Sequence, residues 1–82
     1  MRIMDEAVDL GPRGVALLCL EYDREPYAGM RIRDARGNVH TVAQVTCQDG
    51  LYTLYLPDGD PAYFGRLLRD VRVDATCFEE DV

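Results

Sequence analysis

LYTLYLPDGDPAYFGRLLRDVRV, residues 51–73, passes from a strand pattern through a turn to a helical pattern and back. Leu51 to Leu56 carries apolar groups at both parities with Tyr and Thr between them, which suits a pleated strand. Pro57-Asp58-Gly59-Asp60-Pro61 ends it with turn chemistry. From Pro61 the period changes: Ala62, Phe64, Leu67 and Leu68 recur at helical spacing, and Asp60-Pro61 reads as an N-cap followed by a first helical residue. The interior Gly65 limits this segment to one or two turns. Residues 71–77, VRVDATC, alternate again, with Val71, Val73, Ala75 and Cys77 expected to face inward.

Working outward, the remaining chain reads as short strands joined by tight turns. Residues 2–10 fit neither period well and suggest an edge strand. Gly11-Pro12-Arg13-Gly14 is a turn that returns the chain into residues 15–22, VALLCLEY, an almost wholly apolar run expected of a central strand. Residues 23–29 form a polar connection. Met30 to Arg33 alternates, with Arg31 and Arg33 on an outer face. Asp34 to Asn38 supplies a tight connection, in which Gly37 can take a left-handed conformation. Residues 39–47, VHTVAQVTC, make the second arm of this hairpin, and Val42 breaks its alternation, as at a bulge. Gln48-Asp49-Gly50 is a further hairpin turn.

These segments predict an all-β fold: a small five- to six-stranded barrel with one short helical turn, spanning residues 1–78, and an acidic tail at 79–82 that frays. Eighty-two residues provide one hydrophobic core and no second. Residues 13–45, GVALLCLEYDREPYAGMRIRDARGNVHTVAQV within them, resemble the small second-domain barrel of translational GTPases at Gly14, Gly29, Ile32, Gly37 and Val42. The resemblance covers less than half of the chain and implies a fold together with a translation-related role. No GTPase domain or phosphate-binding loop accompanies it, and the helical segment after Leu56 is foreign to that barrel.

Composition narrows the function classes. Fifteen acids against nine bases give a net charge of −6, and every base is arginine. Such a balance argues against non-specific binding to nucleic acid, where phosphate neutralisation supplies most of the affinity. No apolar run approaches the ~20 residues of a membrane span, and Asp5 and Glu6 interrupt any leader-like segment, which together lead to a cytoplasmic expectation. Cys19, Cys47 and Cys77 lack the paired spacing of a metal site and read as reduced thiols in or near the core. Asp58 and Asp60 carry too few partners for a cation site and read as turn and cap. His40 has no recognisable nucleophile beside it, and the chain contains no serine. No catalytic, cofactor or metal set therefore emerges, and the chain reads as a non-enzyme.

What remains are arginine and aromatic residues. Tyr63, Arg66 and Arg69 would share the outward side of the helical turn, with Arg72 following, and Arg31 and Arg33 form a second strip. They are the candidate binding residues of a non-catalytic module that self-associates or binds a protein partner. A nucleic-acid- or ribosome-associated accessory module is the alternative, and a small metal-binding protein or enzyme is a third.

Overall fold

Residues 15–21 form the strand around which the others assemble. The computed structural model describes residues 1–4, 6–69 and 76–81. In chain order it contains β1 (Arg2–Ile3), β2 (Val8–Asp9), β3 (Val15–Glu21), β4 (Arg31–Arg33), β5 (Val39–Thr41), β6 (Gln44–Gln48), β7 (Leu51–Leu56), α1 (Pro61–Arg69) and β8 (Glu79–Glu80). The larger sheet runs β1-β3-β7-β6, with β2 also paired to β3, and the smaller runs β5-β4-β8. All these pairings are antiparallel.

The all-β class and the single helix are as the sequence indicates. The ladders form two open sheets that meet at two corners rather than one closed cylinder. At the first corner, residues 39–48 pass from one sheet to the other: β5 pairs with β4 and β6 with β7. The chain turns at Val42, which is fully buried; its N–H donates to the Met30 carbonyl at 2.9 Å, and the Ala43 N–H donates to that of Tyr55 at 2.9 Å. The broken alternation at Val42 marks this change of sheet. It also reverses the parity upstream, so that His40, opposite the fully buried Ile32, faces inward while Val39 is exposed.

At the second corner the chain ends meet. Ile3 donates to the Thr76 carbonyl at 2.9 Å and Phe78 to that of Met1 at 2.8 Å, after which β8 pairs with β4. Two expectations are corrected here. Cys77, expected to face inward, is exposed, while its neighbour Phe78 is 1% exposed in the core, and the tail expected to fray is ordered at Glu79–Glu80. Residues 79–81 are tied into the smaller sheet, because the Asp81 N–H donates to the Arg31 carbonyl at 2.8 Å and their carboxylates meet the arginines of β4. Of the expected strand at residues 71–77, residues 71–75 lie outside the described residues.

The core is built from both sheets and the helix. Val15, Leu17 and Cys19 of β3, with their sheet neighbours Leu54 and Leu56, pack in one cluster with Ile32, Phe64, Leu67 and Phe78. The residues 2–10 segment reads as two short pieces, β1 and β2, along the same edge of β3, so β3 is central as its unbroken apolar run requires. The helix starts as expected: the Asp60 carboxylate accepts from the Ala62 N–H at 3.0 Å, and the Asp60 carbonyl from the Phe64 N–H at 3.0 Å.

Gly14 is the tightest point of the chain. Its φ of 94° is left-handed, and a Cβ there would run into the Leu56 and Pro57 carbonyl oxygens. Gly14→Ala is expected to cost about 2 kcal/mol or more, combining left-handed strain with displacement of β7. Chemical denaturation of the variant measures it.

Candidate functional site

The chemically most concentrated point in the molecule is one carboxylate. Asp34 opens the β4–β5 connection, and its side chain is fully buried. A carboxylate offers about four lone-pair sites, and here four donors take them. The Arg36 and Asn38 N–H groups donate to Oδ1 at 2.8 and 3.1 Å. On Oδ2, His40 Nε2 lies at 2.7 Å and the Tyr63 hydroxyl donates at 2.6 Å. The Asn38 side-chain amide donates in turn to the Tyr63 hydroxyl oxygen at 2.7 Å.

Burial pushes the Asp34 carboxyl upward, but the His40, Tyr63 and backbone hydrogen bonds outweigh it, and the net displacement is below the ordinary 3.8. Asp34 is thus ionised at neutral pH and accepts only, which makes His40 Nε2 the protonated nitrogen. Burial raises the Tyr63 hydroxyl pKa, and its bond to Asp34 raises it further. The His40 ring packs on Phe64 with centroids 4.8 Å apart and on Tyr63 at 5.8 Å.

A histidine on a buried aspartate has the outline of a general-base pair, but such a base must reach a nucleophile. The hydrogen bonds of the His40 ring among the described residues go to Asp34 alone. Cys19, the one buried thiol, donates to the Glu21 carbonyl at 3.4 Å, and burial pushes its pKa up, as suits a structural thiol. Cys47 and Cys77 are exposed, which corrects their placement in or near the core. Among the described residues, no group of three or more His, Cys, Asp or Glu side chains converges as a metal site would require.

The expected binding residues separate into three environments. Tyr63 is half-buried and its hydroxyl is committed to Asp34. Arg66 and Arg69 are exposed on the last turns of α1. Arg31 and Arg33 meet β8: Arg31 pairs with Asp81 at 3.2 Å, and Arg33 with Glu79 at 2.9 Å and Asp81 at 3.3 Å. These five residues thus have different partners: Asp34 for Tyr63, and the β8 carboxylates for Arg31 and Arg33. Arg72 lies outside the described residues.

A different surface stands out, and the alternation of β3, β6 and β7 creates it. Since Val15, Leu17 and Cys19 point into the core, Ala16, Leu18 and Leu20 belong to the other face. Cross-strand partners share a face, so Tyr55 and Gln44 join Ala16, and Thr53 and Thr46 join Leu18. Leu51 and Gln48 continue the same parity beside Leu20. None of these positions is charged, although charged residues make up 29% of the chain. Leu20 is 52% exposed and Leu51 is exposed beside it, whereas Ala16, paired with the exposed Val8 at the far end of β3, is buried. Antiparallel sheets commonly turn a polar face to water; this one turns leucines. The alternation was visible in the sequence, but the near-continuous apolar run of β3 hid which face would remain uncovered.

Asp34→Ala is expected to cost about 3 kcal/mol, since it strips partners from two backbone N–H groups and two side chains at once. Tyr63→Phe, which removes one donor to the carboxylate, should cost about 1.5 kcal/mol. Because the folded Asp34 carboxyl holds its proton less tightly than the unfolded one, its contribution is complete above the unfolded value near 3.8. It is lost as pH falls through the lower folded value. Urea denaturation from neutral to acid pH should show that loss in the parent, and a flatter acid limb in Asp34→Asn.

No protein-family model matches the sequence, and neither a curated protein nor a solved structure matches it. The likeness to the translational-GTPase barrel therefore rests on the quoted sequence positions alone.

Proposed function

We propose that the chain is a non-catalytic protein-interaction module, self-associating or binding a protein partner through the outer face of its larger sheet. The observation that carries this reading is the uncharged face around Leu18, Leu20 and Leu51 in a chain of net charge −6. Exposed apolar side chains set side by side, here Leu20 and Leu51, mark interaction sites on small domains. Interface cores are likewise depleted in charge.

A protein partner is favoured over a nucleic acid by the engagement of Arg31 and Arg33. Their guanidinium groups lie against the Glu79 and Asp81 carboxylates, so the cationic strip of β4 is neutralised within the molecule. The Asp34–His40–Tyr63 group acts on this reading as a structural clasp.

The test replaces Leu20 and Leu51 together by aspartate. Tyr63 is unsuitable, since its loss would report on folding. The double variant should keep the parent circular-dichroism spectrum. It should lose concentration-dependent self-association in light scattering, or the protein partner that the parent retains in crosslinking from cell extract. Identical behaviour of parent and variant in both measurements would overturn the proposal.

A further inference from the structure

Among the described residues, β6 forms an open edge of the larger sheet. β6 pairs with β7 on one side, and among the described residues no backbone hydrogen bond leaves its other side. At the opposite end of the sheet, β1 is covered by residues 76–78. Exposed edges are ordinarily blunted by charge, proline or a bulge. β6 runs five residues, Gln44–Gln48, in unbroken register with Leu51–Tyr55, and carries neither charge nor proline.

Its sequence is chemically palindromic. Gln-Val-Thr-Cys-Gln reads polar, apolar, polar, apolar, polar in either direction, with Thr46 at the centre. We infer that the partner is a second copy of this chain, joined through β6 in a two-fold antiparallel strand pair centred on Thr46. This rests on the interaction-module reading in its self-associating form and adds an edge to the face already described: the strand pair sets the faces of the two copies side by side and does not itself cover Leu20 and Leu51. In that register Thr46 lies opposite its own copy, Gln44 opposite Gln48, and Val45 opposite Cys47. Each pair sets like chemistry against like, and Thr–Thr pairs are among the stabilising cross-strand combinations. An isologous interface demands self-complementarity of this sort.

Charge does not bar this occupant along the strand itself. Two copies at net −6 repel, and β6 is an edge along which no carboxylate opposes another. Asp49 follows the strand and falls opposite Ala43 of the copy. A foreign strand would need charges or pockets on the edge to select it, as in other cases of strand addition, and β6 presents no charge for this. The pairing makes one continuous sheet, on which the uncharged faces of the two copies adjoin.

Register-specific crosslinking of the full chain tests this. Across an antiparallel pair, facing Cα atoms lie about 4.5–5.5 Å apart, within the disulfide range. Position 44 and its copy would be offset by four residues, roughly 13 Å. In a Cys47→Ala background, Thr46→Cys should give an oxidised dimer whose mapped peptide joins position 46 to position 46, while Gln44→Cys should not. Sedimentation should show the unoxidised parent approaching twice the 9.3 kDa chain mass as concentration rises into the high micromolar range. Thr46→Lys, which sets two ammonium groups face to face at an exposed site, should weaken association at least tenfold with an unchanged circular-dichroism spectrum. A monomeric parent at all concentrations, equal crosslinking at 44 and 46, or undiminished association of Thr46→Lys would each overturn the inference. If the dimer ignores Thr46→Lys but dissociates in the Leu20 and Leu51 double variant, the edge is wrong and the interaction-module reading survives. If neither set of substitutions changes any association, both fall.

Discussion

A single buried carboxylate joins the parts of this molecule that the chain order keeps apart. Asp34 lies in a hairpin of the smaller sheet, whereas Tyr63 sits on the helix that follows the last long strand of the larger one. Through Oδ1 the carboxylate closes its own turn, and through Oδ2 it holds both the helix and the inward histidine of β5. An ionised group this deep is tolerated only when its lone pairs are filled. The four donors are therefore a condition of the fold. Phe64, next to Tyr63, is thereby held against the His40 ring and fully buried.

That arrangement explains why so little chemistry is exposed. The chain's one histidine, its one fully buried acidic side chain among the described residues and one of its five tyrosines are spent on each other. The arginines of β4 are spent on β8. Surface free of such pairing lies on the opposite side of β3, β6 and β7, where alternation sends uncharged residues outward. In a domain of this size, with a thin margin of stability, leaving leucines in water is costly unless a partner covers them, and this links the shape of the sheet to the proposed role.

Much of the fold was legible in the residues. The central position of β3 follows from an apolar run that only a strand flanked on both sides can bury. The helix follows from Asp60-Pro61 and the spacing of Phe64, Leu67 and Leu68. Val42 breaks the alternation of residues 39–47, and at that break the expected single hairpin arm divides between the two sheets. The candidate site was far less legible. Asp34 reads as an ordinary turn residue, because its Oδ1 bonds are local, and nothing in a linear pattern shows that its other oxygen meets a hydroxyl 29 residues later. Helical spacing alone sends Tyr63 outward with Arg66, whereas its hydroxyl is committed to Asp34.

By itself the sequence determined the class of structure, the order of most elements, the turn glycines and the strongly acidic character. These depend on local propensity and on periodicity, which short windows contain. Only the tertiary structure decided which acidic group would be buried, that the end of the chain would be bonded to the β4 arginines, and which sheet face and edge would be left open. Those outcomes depend on pairings between residues distant in the chain, and their energies exist only once both partners have been brought together.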